Sequence, residues 1–203
     1  MKQRLKLYFA ACILSSLAAY SQTVNSNHTV SPRDIISLVR SNSGSLDIFQ
    51  KDLSDLRANR QQFTRRMLDI LLDSKSSELS KVAAVFCLGE IRAVDAVNPL
   101  AKQISLEFNF RKYYWSNFPP DFPQYPAVDA LVEIGNPSIP AVIRNLAESD
   151  TAKVRDLSLQ ALTRIDVDKD ISQLRLQKAL KAEKNPQKQA RLQAAIKSLV
   201  AVQ

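Results

Sequence analysis

Apolar residues recur at helical spacing in the stretch 81–92, KVAAVFCLGEIR. Ala84, Leu88 and Ile91 lie on one side of the predicted helix. A second amphipathic segment, 96–104, begins after a short turn. The pattern predicts a pair of antiparallel helices, which is a unit that has to bury its apolar face against neighbouring units.

Residues 32–75, which precede this unit, carry the same helical periodicity. Ser31 is a predicted N-cap, with Pro32 at the first helical position. Three helices are expected here, and their apolar stripes contain Ile35, Ile36, Leu38, Val39, Phe49, Leu53, Leu56, Phe63, Met67, Ile70 and Leu71. They form either a degenerate repeat or an N-terminal cap.

Four segments share the motif of a small residue followed by two aliphatic residues three positions apart. They are CLGEI, ALVEI, ALTRI and AIKSL, and their anchors Leu88, Leu131, Leu162 and Ile196 are separated by 43, 31 and 34 residues. A second amphipathic segment follows each of the first three, at 96–104, 137–147 and 169–182. Recurrence at this interval is typical of stacked helical repeats. The last helix, with Asn185 as N-cap and Pro186 at the first helical position, fits a polar terminal cap.

The segments KVAAVFCLGEIRAVDAVNPL and KVRDLSLQALTRIDVDKDI resemble HEAT-like repeats of the short type that also occurs in phycobilin lyases. The resemblance covers residues 77–203. It implies an all-α protein, an α-solenoid of stacked helix pairs whose shared property is a binding surface. It carries no catalytic residue set, because the repeat pattern consists of packing residues. Val132, Thr163 and Lys197 depart from the family pattern where the first unit has glycine.

An insertion accounts for the long first interval. Residues 107–126, EFNFRKYYWSNFPPDFPQYP, hold eight of the 14 aromatic residues of the chain, together with four prolines. Prolines at this density exclude a continuous helix or a central strand, so the sequence predicts an extended loop between two repeats.

Two interpretations of this loop stay open. In one, Phe108, Phe110, Trp115 and Phe118 pack back onto the helices. In the other, the cluster binds a partner, since aromatic residues and arginine are enriched in binding surfaces. The candidate binding residues are Arg111, Lys112, Tyr113, Tyr114, Trp115, Phe118 and Phe122.

The first 21 residues have the composition of a secretory signal. Three basic residues precede a short apolar run, and Ala19 and Ser21 are suitably small for cleavage after Ser21. We expect an exported protein, periplasmic or secreted, with a flexible leader at 22–31 and no transmembrane span after cleavage. An uncleaved anchor and a lipoprotein on Cys12 are the alternatives. Cleavage lowers the formal net charge from +8 to +5, because the signal contains three basic and no acidic residues.

The residues that catalysis needs are scarce. His28 is the sole histidine and lies in the leader, so a Ser–His or Cys–His pair in the folded part is excluded. Cleavage leaves Cys87 as the single cysteine, and its place beside Leu88 on the helix predicts a buried packing residue. The acidic run DVDKD lacks the glycine and the glutamate of a calcium loop, so a helix-start role for Asp168 or Asp170 is expected. We therefore predict no enzyme, no cofactor and no metal.

The C-terminal region is basic: residues 169–203 contain eight Lys or Arg and two acidic residues. HEAT-like DNA glycosylases bind DNA through a basic solenoid, so the resemblance offers a precedent for nucleic-acid binding. Export argues against a nucleic-acid partner, and the lysine spacing is typical of a solvated helix face. The sequence favours an interaction or scaffold module with a protein or envelope partner. Carbohydrate or cell-wall binding through the aromatic loop is the alternative, and an enzyme with an unrecognised site is the third hypothesis.

Overall fold

A computed structural model describes residues 60–108 and 124–201. Within those ranges the chain is all-helical, as the amphipathic pattern predicts, and contains no strand. The predicted signal, the leader and the first two predicted helices lie outside the described residues. The described part divides into two compact units. The first holds residues 60–93, 108 and 124, and the second holds residues 94–107 and 125–201.

The first unit contains a packed pair of helices, α1 (Arg60–Leu72) and α2 (Glu78–Glu90). Phe63, Met67 and Leu71 of α1 are spaced by four residues and are buried as predicted, while Ile70 of the same predicted stripe is only half-buried. At the start of α2, the Ser77 hydroxyl accepts a 3.1 Å hydrogen bond from the amide of Ser80 and caps the helix.

A Schellman motif ends α2. Arg92 has a φ of 50°, and its amide donates to the carbonyl oxygen of Gly89 at 2.8 Å. The amide of Ala93 donates to the carbonyl oxygen of Leu88 at 2.9 Å. These two bonds satisfy carbonyl groups that the helix end would otherwise leave without partners.

The second unit has six α-helices among its described residues. They are α3 (Val97–Lys102), α4 (Pro126–Ile134), α5 (Ile139–Glu148), α6 (Ala152–Asp166), α7 (Lys169–Ala182) and α8 (Pro186–Ala201). Single 3₁₀ turns, Val94–Ala96 and Asn136–Ser138, precede α3 and α5. Two predicted caps are confirmed. Asp168 accepts from the amide of Asp170 at 2.8 Å, and Asn185 accepts from the amides of Gln187 and Lys188.

The helices of the second unit pack in two rows. α3 packs on α5 and α5 on α8, while α4 packs on α6 and α6 on α7. Contacts between α3 and α4, between α5 and α6, and between α7 and α8 join the rows. A strictly alternating array would put α7 in the row of α3 and α5. Here α8 packs against α5 instead, so the last helix pair departs from the order that the repeat pattern predicts.

Side chains link successive helices of the first row. The Asn145 side-chain amide donates to the carbonyl oxygen of Ala101 at 2.8 Å, near the end of α3. Arg191 donates in the same way to the carbonyl oxygen of Glu148 at 2.8 Å, at the end of α5. Each bond supplies a partner for a carbonyl group that no turn of its own helix can satisfy.

The repeat anchors lie in the core, with one exception. Leu88, Leu131 and Leu162 are each fully buried, as packing residues should be. Ile196 is only half-buried, and Leu192 and Leu199 face the core of α8 instead. Truncating any one of the fully buried leucines to alanine should cost about 2–5 kcal/mol.

Candidate partner-binding loop

The structure describes only the two ends of the aromatic insertion. The seven candidate binding residues lie outside the described residues: Arg111, Lys112, Tyr113, Tyr114, Trp115, Phe118 and Phe122. Glu107, Phe108, Gln124 and Tyr125 are described, and they define how the segment leaves the helices and returns.

A backbone hydrogen bond joins the two ends within the first unit. The amide of Phe108 donates to the carbonyl oxygen of Gln124 at 2.9 Å. The Phe108 side chain is buried, which is what the packing interpretation predicts for this residue. The intervening segment, 109–123, therefore begins and ends at one place.

Lys153 holds both ends within the second unit. Its Nζ lies 3.1 Å from Oε2 of Glu107. The same nitrogen lies over the ring of Tyr125, 4.8 Å from its centroid, in a cation–π contact. The interactions with Tyr125 and with Glu107 raise the pKa of Lys153, because both favour its charged form.

These contacts join the two ends of the segment more than they stabilise the fold. Lys153 and Glu107 are each nearly half exposed, and exposed ion pairs contribute little to the free energy of unfolding. Their role is geometric: one cation in the first turn of α6 contacts the residue that enters the segment and the residue that leaves it. Sequence reasoning did not identify Lys153, because it lies 28 positions beyond Tyr125 and the repeat pattern that contains it predicts packing residues and not contacts with the insertion.

Two acidic residues of the second unit with buried side chains form ion pairs within the fold. Asp129 pairs with Arg164 across α4 and α6. Asp166, whose side chain is 1% exposed, accepts from Nε of Arg175 and from the Ser172 hydroxyl, each at 2.9 Å. Both carboxylates therefore already have partners within the fold.

The described residues offer no metal site and no activated thiol. They contain no group of three or more His, Cys, Asp or Glu side chains that could hold a metal ion. Cys87 is fully buried, and burial, with a smaller contribution from the Glu90 carboxylate, raises the pKa of its thiol far above the ordinary range. A thiol in this state is neither a nucleophile nor a metal ligand.

Part of the C-terminal basic excess is neutralised inside the second unit. Arg175 pairs with Asp166, Lys188 with Glu148 at 2.6 Å, and Arg191 with Asp150. Phosphate binding would have to compete with these pairs. Separately, no helix among the described residues is long and apolar enough for a membrane crossing.

Comparison with protein-family models, with curated proteins and with solved structures found no match.

Proposed function

We propose that this protein is a non-catalytic interaction module. On this proposal it is an exported HEAT-like solenoid that docks a protein or envelope partner. The contact surface is the aromatic segment 107–126, with Tyr113, Tyr114 and Trp115 at its centre.

The observation that carries the proposal is the set of contacts that hold the two ends of the segment 107–126 together. The Phe108–Gln124 bond and the contacts of Lys153 with Glu107 and Tyr125 hold both ends. Binding costs less conformational entropy when the ends of a loop are already fixed. Function concentrates on loops that a scaffold positions in this way.

The composition of the segment supplies the second argument. Tyrosine and tryptophan bring a large contact area with few rotatable bonds, and arginine adds a planar cation. Arg111 and Lys112 directly precede Tyr113, so an acidic or π-rich partner surface suits the site.

Carbohydrate binding is the second candidate function. The density of flat aromatic rings between Phe108 and Tyr125 favours it, because such rings can stack on the apolar faces of sugars. A protein partner and a sugar polymer differ in their sensitivity to protease treatment of the extract, which separates the two candidates.

The test replaces Tyr113, Tyr114 and Trp115 together by alanine. The purified variant and the parent are incubated with an envelope extract, and co-purifying components are identified by mass spectrometry. We expect the specific partner to be lost while the midpoint of thermal unfolding stays close to that of the parent.

A matched control replaces three exposed residues of α8, Gln193, Lys197 and Val200, by alanine. This control should retain the partner. An unchanged set of partners together with a lowered unfolding midpoint in the aromatic variant would contradict the proposal, because the cluster would then be a packing element.

A further inference from the structure

The outer face of α7 is apolar where a solvent-facing helix is ordinarily polar. Val167, which directly follows α6, is 89% exposed, and Leu174 and Ile171 of α7 are 67% and 42% exposed. The helix buries Ser172 and Leu176 instead. Three large aliphatic side chains thus face solvent within two turns of one another.

Polar contacts determine this rotation of α7. The Asp166 carboxylate accepts hydrogen bonds from Ser172 and Arg175, and these bonds turn that side of α7 toward α6. The 3.6-residue period of the helix then leaves Leu174 on the side away from Ser172 and Ile171 at the edge of the buried side. The exposed face is therefore a consequence of a buried, satisfied polar cluster.

Val167 has a backbone conformation that is unfavourable for a β-branched residue. It has a φ of 63°, and the amide of Asp168 donates to the carbonyl oxygen of Asp166 at 2.6 Å across it. This is a γ-turn of the rare, strained kind, and a β-branched residue is ill suited to it. An exposed valine in a strained turn contributes nothing to the core, so its role is to be sought at the surface.

The charges on the exposed face are arranged symmetrically about Leu174. Asp170 lies four residues before it and Lys178 four residues after it. Val167 and Lys181 lie seven residues before and after. Because steps of four and seven residues keep to one side of a helix, Asp170, Leu174, Lys178 and Lys181 share a face of α7 that is acidic at one end and basic at the other, and Val167 lies just before its first turn.

We propose that α7 is a docking face for a second copy of this chain. Two α7 helices would pair antiparallel about a two-fold axis through Leu174. This arrangement places each Asp170 opposite Lys178 of the second copy and brings the two Leu174 side chains together. The Lys181 stem lies beside Val167 of the other chain, where its methylene groups cover the valine.

The distribution of charge favours a second copy of this chain over a membrane or an acidic peptide as the partner of α7. An isologous interface has to be complementary to itself, and a face with one acidic and one basic end meets that condition when antiparallel. An anionic membrane or an acidic peptide would gain from Lys178 and Lys181 but would be repelled at Asp170. Three aliphatic residues form a small contact, so the dimer belongs to the weak, transient class.

Sedimentation equilibrium of the purified protein, from low micromolar to millimolar concentration, tests the proposal with charge reversals. Asp170→Lys and Lys178→Glu should each weaken self-association by about tenfold or more, because each replaces two attractive pairs by two repulsive ones. A mixture of these two variants should form a heterodimer, and the double variant should dimerise like the parent. Leu174→Glu should abolish association.

Lys197→Glu, an exposed charge reversal on α8, is the matched control and should leave association unchanged. Since Asp170 lies in the first turn of α7, its variant could also lower stability. Lys178→Glu is free of that effect, so a change in its self-association reports on the interface alone. A parent that is monomeric throughout, or a mixture that forms no heterodimer, overturns the proposal.

The same variants distinguish a second copy of the chain from an acidic partner. If the face binds an acidic peptide or anionic vesicles of phosphatidylglycerol, Asp170→Lys should strengthen binding and Lys178→Glu should weaken it. That pattern, in place of weakening by both reversals, would refute the second-copy assignment.

Discussion

Arg191 caps the helix that ends at Glu148: its guanidinium donates to the carbonyl oxygen of Glu148 at 2.8 Å, and also to that of Ala147 at 3.3 Å. The same side chain pairs with Asp150, just beyond the helix. One mostly buried arginine of α8 thus satisfies the end of α5 and joins the last two helices of the row.

Replacing Arg191 by alanine should lower the free energy of unfolding by about 1–2 kcal/mol, since hydrogen bonds from a charged donor to a part-buried and an exposed carbonyl group are lost. Arg191→Lys should recover less than half of that loss, because an ammonium cannot reproduce the planar fork. Urea denaturation followed by far-ultraviolet circular dichroism measures both. Lys197→Ala, on the exposed side of α8, is the control. Equal stability of the parent and Arg191→Ala would show that the cap contributes nothing.

Lys153→Ala should weaken partner binding through the aromatic segment without lowering the unfolding midpoint. The reason is that Lys153 contacts Glu107 and Tyr125 at the surface and loses few buried contacts on truncation. The readout is recovery of the co-purifying partner, with Lys102→Ala on α3 as the control. A lowered midpoint with undiminished recovery would indicate a purely structural contact.

Helix positions could be predicted from the sequence because caps and prolines are local signals. Asp168 and Asn185 accept the backbone hydrogen bonds that an N-cap residue should accept. The segment 169–182 is a helix with the predicted bounds. Here local chemistry and tertiary structure agree, which is the usual condition for a reliable prediction.

The rotation of α7 and the position of α8 could not be predicted in the same way. Periodicity favours burial of Ile171 and Leu174 as much as of Leu176 and Leu180, so it does not select a face. Asp166 decides between them by binding Ser172 and Arg175, a tertiary contact without a sequence motif. Likewise, Arg191 and Lys188 pair with residues at the end of α5, about 40 positions earlier, and hold α8 there.

Val167→Asn should raise the free energy of unfolding by about 1 kcal/mol, because asparagine tolerates a positive φ better than a β-branched residue does. Val200→Asn removes another exposed valine at an ordinary helical position and should not stabilise the protein. Thermal unfolding of both variants at low protein concentration keeps self-association out of the comparison. A Val167→Asn variant no more stable than the parent would mean that the turn at residue 167 is unstrained.

The burial of Cys87 should make stability fall at alkaline pH. Desolvation raises the pKa of the folded thiol, whereas the unfolded thiol ionises near pH 9. Above that pH the unfolded state releases a proton that the folded state retains, so the free energy of unfolding declines as pH rises. The Cys87 thiol lowers the free energy of unfolding by at most about 1.4 kcal/mol per pH unit.

Lysines titrate in the same range, so the contribution of Cys87 is isolated by comparison with Cys87→Ala. Alanine removes the thiol at a cost of about 1 kcal/mol in packing at any pH. We expect the stability difference between the parent and Cys87→Ala to shrink between about pH 8 and about pH 10, as measured by urea denaturation. A constant difference across that range would show that the thiol ionises as readily in the folded protein as in the unfolded chain. In that case Cys87 would be accessible to solvent, and iodoacetamide would label it without unfolding.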